Sequence, residues 1–393
     1  MCSVKYVGMA VHKATAVIVV LNALGHFQKQ VIIKTKAEAI REFIKSEGGT
    51  LHVIFEEGTQ SAWLYELIKP SVAEVSVCDV RRHKSGRKGN HADAIDAEQL
   101  ANLLRLGAVT SVYKGDTRQR QLKELARAYE NLVSDATRAR NRLKAIYRAR
   151  GIDCDGQDVY RPAQREKWLE KLTESAARFR AQGLLIELET IQKLRQEARV
   201  ELIRQSKQHP DYQLLIKTPS FGPLRVAQLL AWVGTPHRFR TKRQFWPYCG
   251  LAVMTHSTAQ YNIVNERVEK RRKATATRGL NRNHCPTLKR VFKGAAVRAL
   301  SCEPFKAYYQ ERLEKGIRPE MARLSLARKL AATVLAIWQR REVFDPTKVA
   351  SILRLNPDQE CHGCQVKTKL RCAIAGAICT TGRGRVSRGL SWL

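Results

Sequence analysis

The chain has 393 residues and carries 70 Lys and Arg against 36 Asp and Glu, a formal net charge of +34. Its 44% hydrophobic content is enough for packed cores and excludes a wholly disordered chain. No apolar run reaches the roughly 18 residues of a membrane span. A pI near 10.2 points to a polyanionic partner, most simply nucleic acid, and away from a membrane. The apolar stretch Ala14 to Leu24 is short and lacks a cleavage pattern, so a cytoplasmic location is the expectation. The ten cysteines are then expected as reduced thiols.

The first hundred residues read as α/β. Val4–Met9 and Ala16–Leu21 are β-rich runs, Asn22 to Gly25 is turn chemistry, and Val31–Lys34 makes a third strand of an antiparallel meander. Ala37–Lys45 has helical spacing through Ile40, Phe43 and Ile44. Leu51–Phe55 is a short buried strand, Gln60–Ile68 a helix that stops before Pro70, and Val72–Val77 another strand. A basic loop follows, with Arg81, Arg82, Lys84, Arg87 and Lys88. Ala92–Leu106 is then a helix with Ile95, Leu100, Leu103 and Leu104 on its apolar side. This order of strands and helices is that of an RNase H-like domain.

Residues 116–205 are almost all helical by periodicity. Leu122, Leu125, Tyr129, Leu132, Val133, Ala136, Leu143, Ile146 and Tyr147 form one stripe, and Leu184, Leu188, Ile191, Ala198 and Leu202 a second. Residues 116–150 hold ten Lys and Arg against four acids. The break from Gly151 to Pro162 between the stripes fits either an antiparallel coiled-coil arm or the core of a helical bundle.

From 211 to 345 a second globular region opens with helix, Pro/Gly turn and helix over Leu215 to Leu230. This is a hairpin whose turn amides suit a DNA phosphate. Arg267 to Arg298 carries eleven Lys and Arg and one acid. Within it, Lys270, Arg271, Arg272, Lys273, Arg278, Arg282, Lys289 and Arg290 are the candidate phosphate contacts. Residues 346–393 lose periodicity and read as a disordered tail. Cys361, Cys364, Cys372 and Cys379 lie there. The first pair has zinc-ligand spacing; the later gaps are not those of a paired knuckle.

Phosphodiester chemistry commonly uses metal ions held by carboxylates on rigid elements. Glu56 and Glu57 follow a strand whose end opens on a ligand crevice. Asp93 and Asp96 lie three apart, on one face of a helix. Each pair also has a plain reading as acids that complement a helix dipole.

In that order, Tyr6-Val7-Gly8-Met9, Phe55-Glu56-Glu57-Gly58-Thr59 and Ala92-Asp93-Ala94-Ile95-Asp96-Ala97 resemble the DEDD-type insertion-sequence transposases, the IS "one-ten" family. Arg243-Gln244-Phe245-Trp246-Pro247-Tyr248-Cys249-Gly250-Leu251 and Arg278-Gly279-Leu280-Asn281-Arg282-Asn283 are similar to that family's C-terminal domain. The resemblance spans roughly residues 4 to 345. It implies a RuvC-like nuclease domain over 1–115, a helical coiled-coil arm over 116–210, and a mainly α transposase domain with a helix-hairpin-helix-like element over 211–345. It implies Mg2+-dependent recombination of double-stranded donor and target DNA by a homo-oligomer, a tetramer, guided by a structured RNA. Metal ligands and catalytic acids would be Glu56 (Glu57 one residue away), Asp93 and Asp96. A C-terminal hydroxyl, Ser257 or Thr258, would attack the phosphodiester and leave a covalent protein–DNA link.

The chain departs from the family where the first acid belongs. Val7-Gly8-Met9 is followed by Ala10, which binds no metal, and His12 is expected to face another direction. The expectation is therefore a transposase that binds nucleic acid but lacks its chemical step. The alternatives are a RuvC-like junction nuclease and a catalytically dead nucleic-acid-binding protein.

Overall fold

The computed structural model describes residues 3–79, 92–256, 261–264, 267–270 and 276–348. The chain divides into two compact units, the first ending at Asp116 and the second beginning at Thr117.

In the first unit three strands run in succession, β1 (Val4–Val11), β2 (Thr15–Asn22) and β3 (Phe27–Lys34). They are followed by α1 (Ala37–Ser46), β4 (Thr50–Glu56), α2 (Ser61–Ile68), β5 (Glu74–Cys78) and α3 (Asp93–Arg105). The sheet order is β3-β2-β1-β4-β5. Short turns join β1, β2 and β3, so these pair antiparallel. β4 and β5 are reached through helices, so they run parallel to β1, as the geometry of crossovers requires.

The sheet is covered on both faces, which is why Ala16 to Leu21 is buried without alternation. One face packs Val7, Met9, Ile18, Val20, Val53 and Phe55 against Ile40, Phe43 and Leu64 of α1 and α2. The other packs Val19, Leu21, Ile54 and Cys78 against Ala97, Leu100, Ala101 and Leu104 of α3. β3 starts four residues earlier than its sequence pattern indicates. Phe27 to Gln30 are exposed on this edge strand, so they show no apolar alternation.

The second unit begins with two long helices, α4 (Thr117–Arg148) and α6 (Ser175–Ser206), with the short α5 (Arg165–Glu170) between them. Leu143 and Tyr147 meet Ala177, Ala181 and Leu185. Ala136 and Ala139 meet Leu188 and Ile191, and Leu122 and Ala126 meet Leu202. Residue numbers fall along one helix as they rise along the other, so the pair is antiparallel. Its near end shares a core with Ala227 and Ala231.

Next come α7 (Tyr212–Ile216), α8 (Pro223–Val233) and α9 (Lys242–Tyr248). The hairpin turn between α7 and α8 holds Ser220 at φ 70°. Arg225 supports it by donating to the Ser220 carbonyl at 2.8 Å and the Gly294 carbonyl at 3.1 Å. Then α10 (Pro286–Ala299), α11 (Phe305–Glu314) and α12 (Pro319–Arg340) close a core around Phe245, Phe292, Phe305, Leu330 and Trp338.

This region was expected to be mainly α. It also contains β6 (Val253–His256), β7 (Tyr261–Val264), β8 (Arg267–Lys270) and β9 (Ala276–Leu280). β6 pairs with β9 and β7 with β8, both antiparallel. The density of Lys and Arg there masked the strand pattern in the sequence. Among the described residues no helix is long and apolar enough to cross a membrane.

Candidate active site

The pleat of β1 decides what can meet what. Val7, Met9 and Val11 face α1 and α2, so Tyr6, Gly8 and Ala10 face α3. Gly8 is required there: a Cβ at that position would stand 1.8 Å from the Ala97 carbonyl oxygen and 2.9 Å from the Ala101 nitrogen. The close approach seats the middle of α3 over β1, and Ala10 packs against the same Ala97 and Ala101.

Met9 pairs with Phe55 across the parallel ladder, so Ala10 and Glu56 come next on adjacent strands. Ile54 points to α3, and alternation puts Glu56 on the same side. Glu57 departs from it. Its carboxylate lies 3.6 Å from Lys114 Nζ, which donates to Ser61 Oγ at 3.1 Å. Asp93 and Asp96 both lie in the first turn of α3, where the helix dipole favours negative charge.

The expected orientation of His12 needs correction. His12 Nε2 lies 3.0 Å from Asp93 Oδ1, so the ring points toward the acids of α3. The hairpin carries the alternation one step past the strand: His12 N donates to the Thr15 carbonyl at 2.9 Å, and Thr35 Oγ1 donates to the His12 carbonyl at 3.0 Å. His12 thus follows Ala10 by two on the same face.

Glu56 and the first-turn acids of α3 thus belong to the face on which Ala10 lies, with His12 beside Asp93. Among the described residues no three His, Cys, Asp or Glu side chains group closely enough to hold a metal ion. A two-metal centre needs every ligand placed. Ala10 offers only a methyl group, so the residues present do not fit such a centre.

In the second unit Arg282 is exposed in the turn after β9. Asn281 locks this turn. Its side chain donates to the Pro247 carbonyl at 3.2 Å and the Asn283 carbonyl at 2.8 Å, and its Oδ1 accepts from Asn283 N at 3.0 Å. Lys289 and Arg290 follow on α10. Lys270 ends β8 and Arg278 lies within β9. Arg81, Arg82, Lys84, Arg87, Lys88, Ser257, Thr258, Arg271, Arg272, Lys273 and the four tail cysteines lie outside the described residues. Burial pushes the Cys249 thiol well up, and Cys285 beside it adds to the rise. Burial likewise raises Cys285. Both stay protonated and neither is a nucleophile.

One cluster escaped the sequence reading. Glu130 on α4 accepts from Trp232 Nε1 at 3.0 Å and from the Thr287 hydroxyl, and lies 3.5 Å from Arg290. Trp232 in turn lies under Lys123 and Arg127. The spacing of Lys123, Arg127 and Glu130 along one helix face was readable. The tryptophan about a hundred positions away was not.

Residues 7–148 match a family model described as Transposase, that of the DEDD-type transposases. Residues 212–310 match one described as Transposase IS116/IS110/IS902 family. The chain has no significant match among the curated proteins.

Proposed function

We propose that this chain, which belongs to the IS110 family of transposases, still binds its nucleic acids but cannot carry out strand cleavage, because position 10 supplies no metal ligand. Family membership makes it a DNA transposase and implies use of a divalent metal. The finer reading is ours. The first unit is RNase H-like, of the RuvC kind, supported by its β3-β2-β1-β4-β5 order with only β2 antiparallel to both neighbours. Mg2+ is the ion the family's site would take; Glu56, Asp93 and Asp96 are the acids left of that site, and without a donor at position 10 they do not complete it. Lys and Arg of 81–88 and 270–290 hold phosphates. The arm over 116–210 and the domain over 211–345 serve a tetramer guided by a structured RNA.

Were the metal site complete, the nucleophile would be the hydroxyl of Ser257 or Thr258: its oxygen would bond to phosphorus as the bond to the leaving sugar oxygen breaks, its proton would be lost, and the leaving oxygen would be protonated in its place. The observation that carries the whole reading is Ala10 beside Glu56, on the sheet face covered by the helix that bears Asp93 and Asp96. A junction nuclease has no comparable use for the long arm and hairpin.

Incubating the full chain with Mg2+, its flanking RNA and end-labelled donor and target DNA tests this. Bound complexes with no covalent adduct on a denaturing gel are expected. An adduct formed with Ala10 unchanged would falsify the claim of a lost chemical step.

A further inference from the structure

We propose that the outward face of α6 is the surface through which the arm pairs, antiparallel, with a second copy of this chain. This rests on the reading that the chain works as an oligomer, and names the face that joins two of its copies.

α6 carries two apolar stripes, and only one is used inside the chain. Ala177, Ala181, Leu185, Leu188 and Ile191 pack in the cores shared with α4. On the opposite side Phe179 is 77% exposed and Ile186 62%. Ala176, Phe179, Gly183, Ile186 and Thr190 are all exposed and follow one another at spacings of three, four, three and four. That is the a/d seam of a coiled coil, about two heptads long, here turned to solvent.

The chemistry of the seam selects its occupant. In a chain of net charge +34, none of these five residues is charged. A phosphate backbone is held by Lys and Arg, so this face suits protein instead. Its large side chains alternate with small ones, and the pattern complements itself. Laid antiparallel on a second copy, Phe179 meets the partner's Thr190 and Gly183 meets the partner's Ile186. Each bulky side chain then faces a small one, as interdigitated packing needs. A Cβ at Gly183 would meet nothing within 4 Å, so the hollow is open. Parallel pairing would set Phe179 against the partner's Phe179 and Gly183 against the partner's Gly183, which leaves a void.

Charge points the same way. In the antiparallel register Arg180 meets the partner's Glu187, at the flanking positions whose ion pairs set orientation in coiled coils. The two-fold relation repeats the pair, as an isologous contact does. Both side chains are exposed. Glu187 lies 3.9 Å from Arg142 of its own arm, the outer edge of an ion pair, and keeps room for a second cation.

The test follows mass by sedimentation across a dilution series, using full chains without nucleic acid, checked by circular dichroism. Wild type is expected as a multimer. Arg180→Glu and Glu187→Arg each set like charges face to face twice per interface. Each is expected to raise the dissociation midpoint about tenfold. Mixing the two variants is expected to restore the wild-type midpoint, because each then meets its complement; a loss of folding would not be repaired in this way. Phe179→Asp/Ile186→Asp is expected to halve the mass throughout the series. A multimeric wild type that none of these variants weakens would overturn the proposal and leave the face to a different protein. Weakening that mixing does not repair would overturn the antiparallel pairing. Wild type running as a single chain would remove the oligomer reading itself.

Discussion

Placing aspartate at position 10 is expected to turn a chain that only binds DNA into one that forms a covalent protein–DNA adduct. The gain expected is on the order of 10²- to 10³-fold over Ala10, the scale on which single electrostatic contacts to a transition state act. The position is already prepared. Ala10 follows Met9, whose ladder partner Phe55 precedes Glu56, and it packs against Ala97 and Ala101 of the helix that bears Asp93 and Asp96. A carboxylate there adds negative charge to the face that carries Asp93 and Asp96 in the first turn of α3. Without metal this repulsion destabilises the first unit, and with metal it is relieved. Ala10→Asp should therefore melt below wild type in EDTA and gain more than wild type on adding Mg2+. The same adduct yield with and without the substitution would mean that position 10 contributes no ligand.

Gly8→Ala carries the largest expected structural effect. The added methyl would have to sit 1.8 Å from a helix carbonyl oxygen, so α3 must withdraw by about 1.5 Å to reach ordinary contact. That opens the seam of Val19, Leu21, Ala97 and Ala101 and moves Asp93 away from the end of β1. A loss of about 3 kcal/mol or more is expected in urea denaturation, at or above the usual range for overpacking. Gly58→Ala is the control. A Cβ there meets nothing within 4 Å and the backbone is not left-handed, so its stability stays within roughly 0.5 kcal/mol of wild type. In an Ala10→Asp background Gly8→Ala should abolish the restored adduct.

The meander and the helices of the first unit were legible because burial imposes a period on each element. The fully apolar run Ala16 to Leu21 marked a strand covered on both sides, and Ile40, Phe43 and Ile44 marked a helix. Edge strand β3 was legible only over its second half, where side chains reach the core. His12 was misjudged because it lies beyond the strand, where the hairpin still preserves the pleat. The second unit was less readable. Its small strands carry little apolar alternation, and the Glu130–Trp232–Thr287 cluster joins three helices distant in sequence. Spacing along one helix can place Lys123, Arg127 and Glu130 on one face. It cannot name what packs against them.

The central claim is that position 10 is the missing ligand of the metal centre. It is tested most directly by titrating the full-length wild-type and Ala10→Asp chains with Mn2+ as a paramagnetic reporter, following free ion by electron paramagnetic resonance. The account predicts that Ala10→Asp binds Mn2+ in competition with Mg2+, and that wild type shows at least tenfold weaker uptake, about 1.4 kcal/mol or more. Equal uptake by the two chains would contradict it and place the missing donor elsewhere.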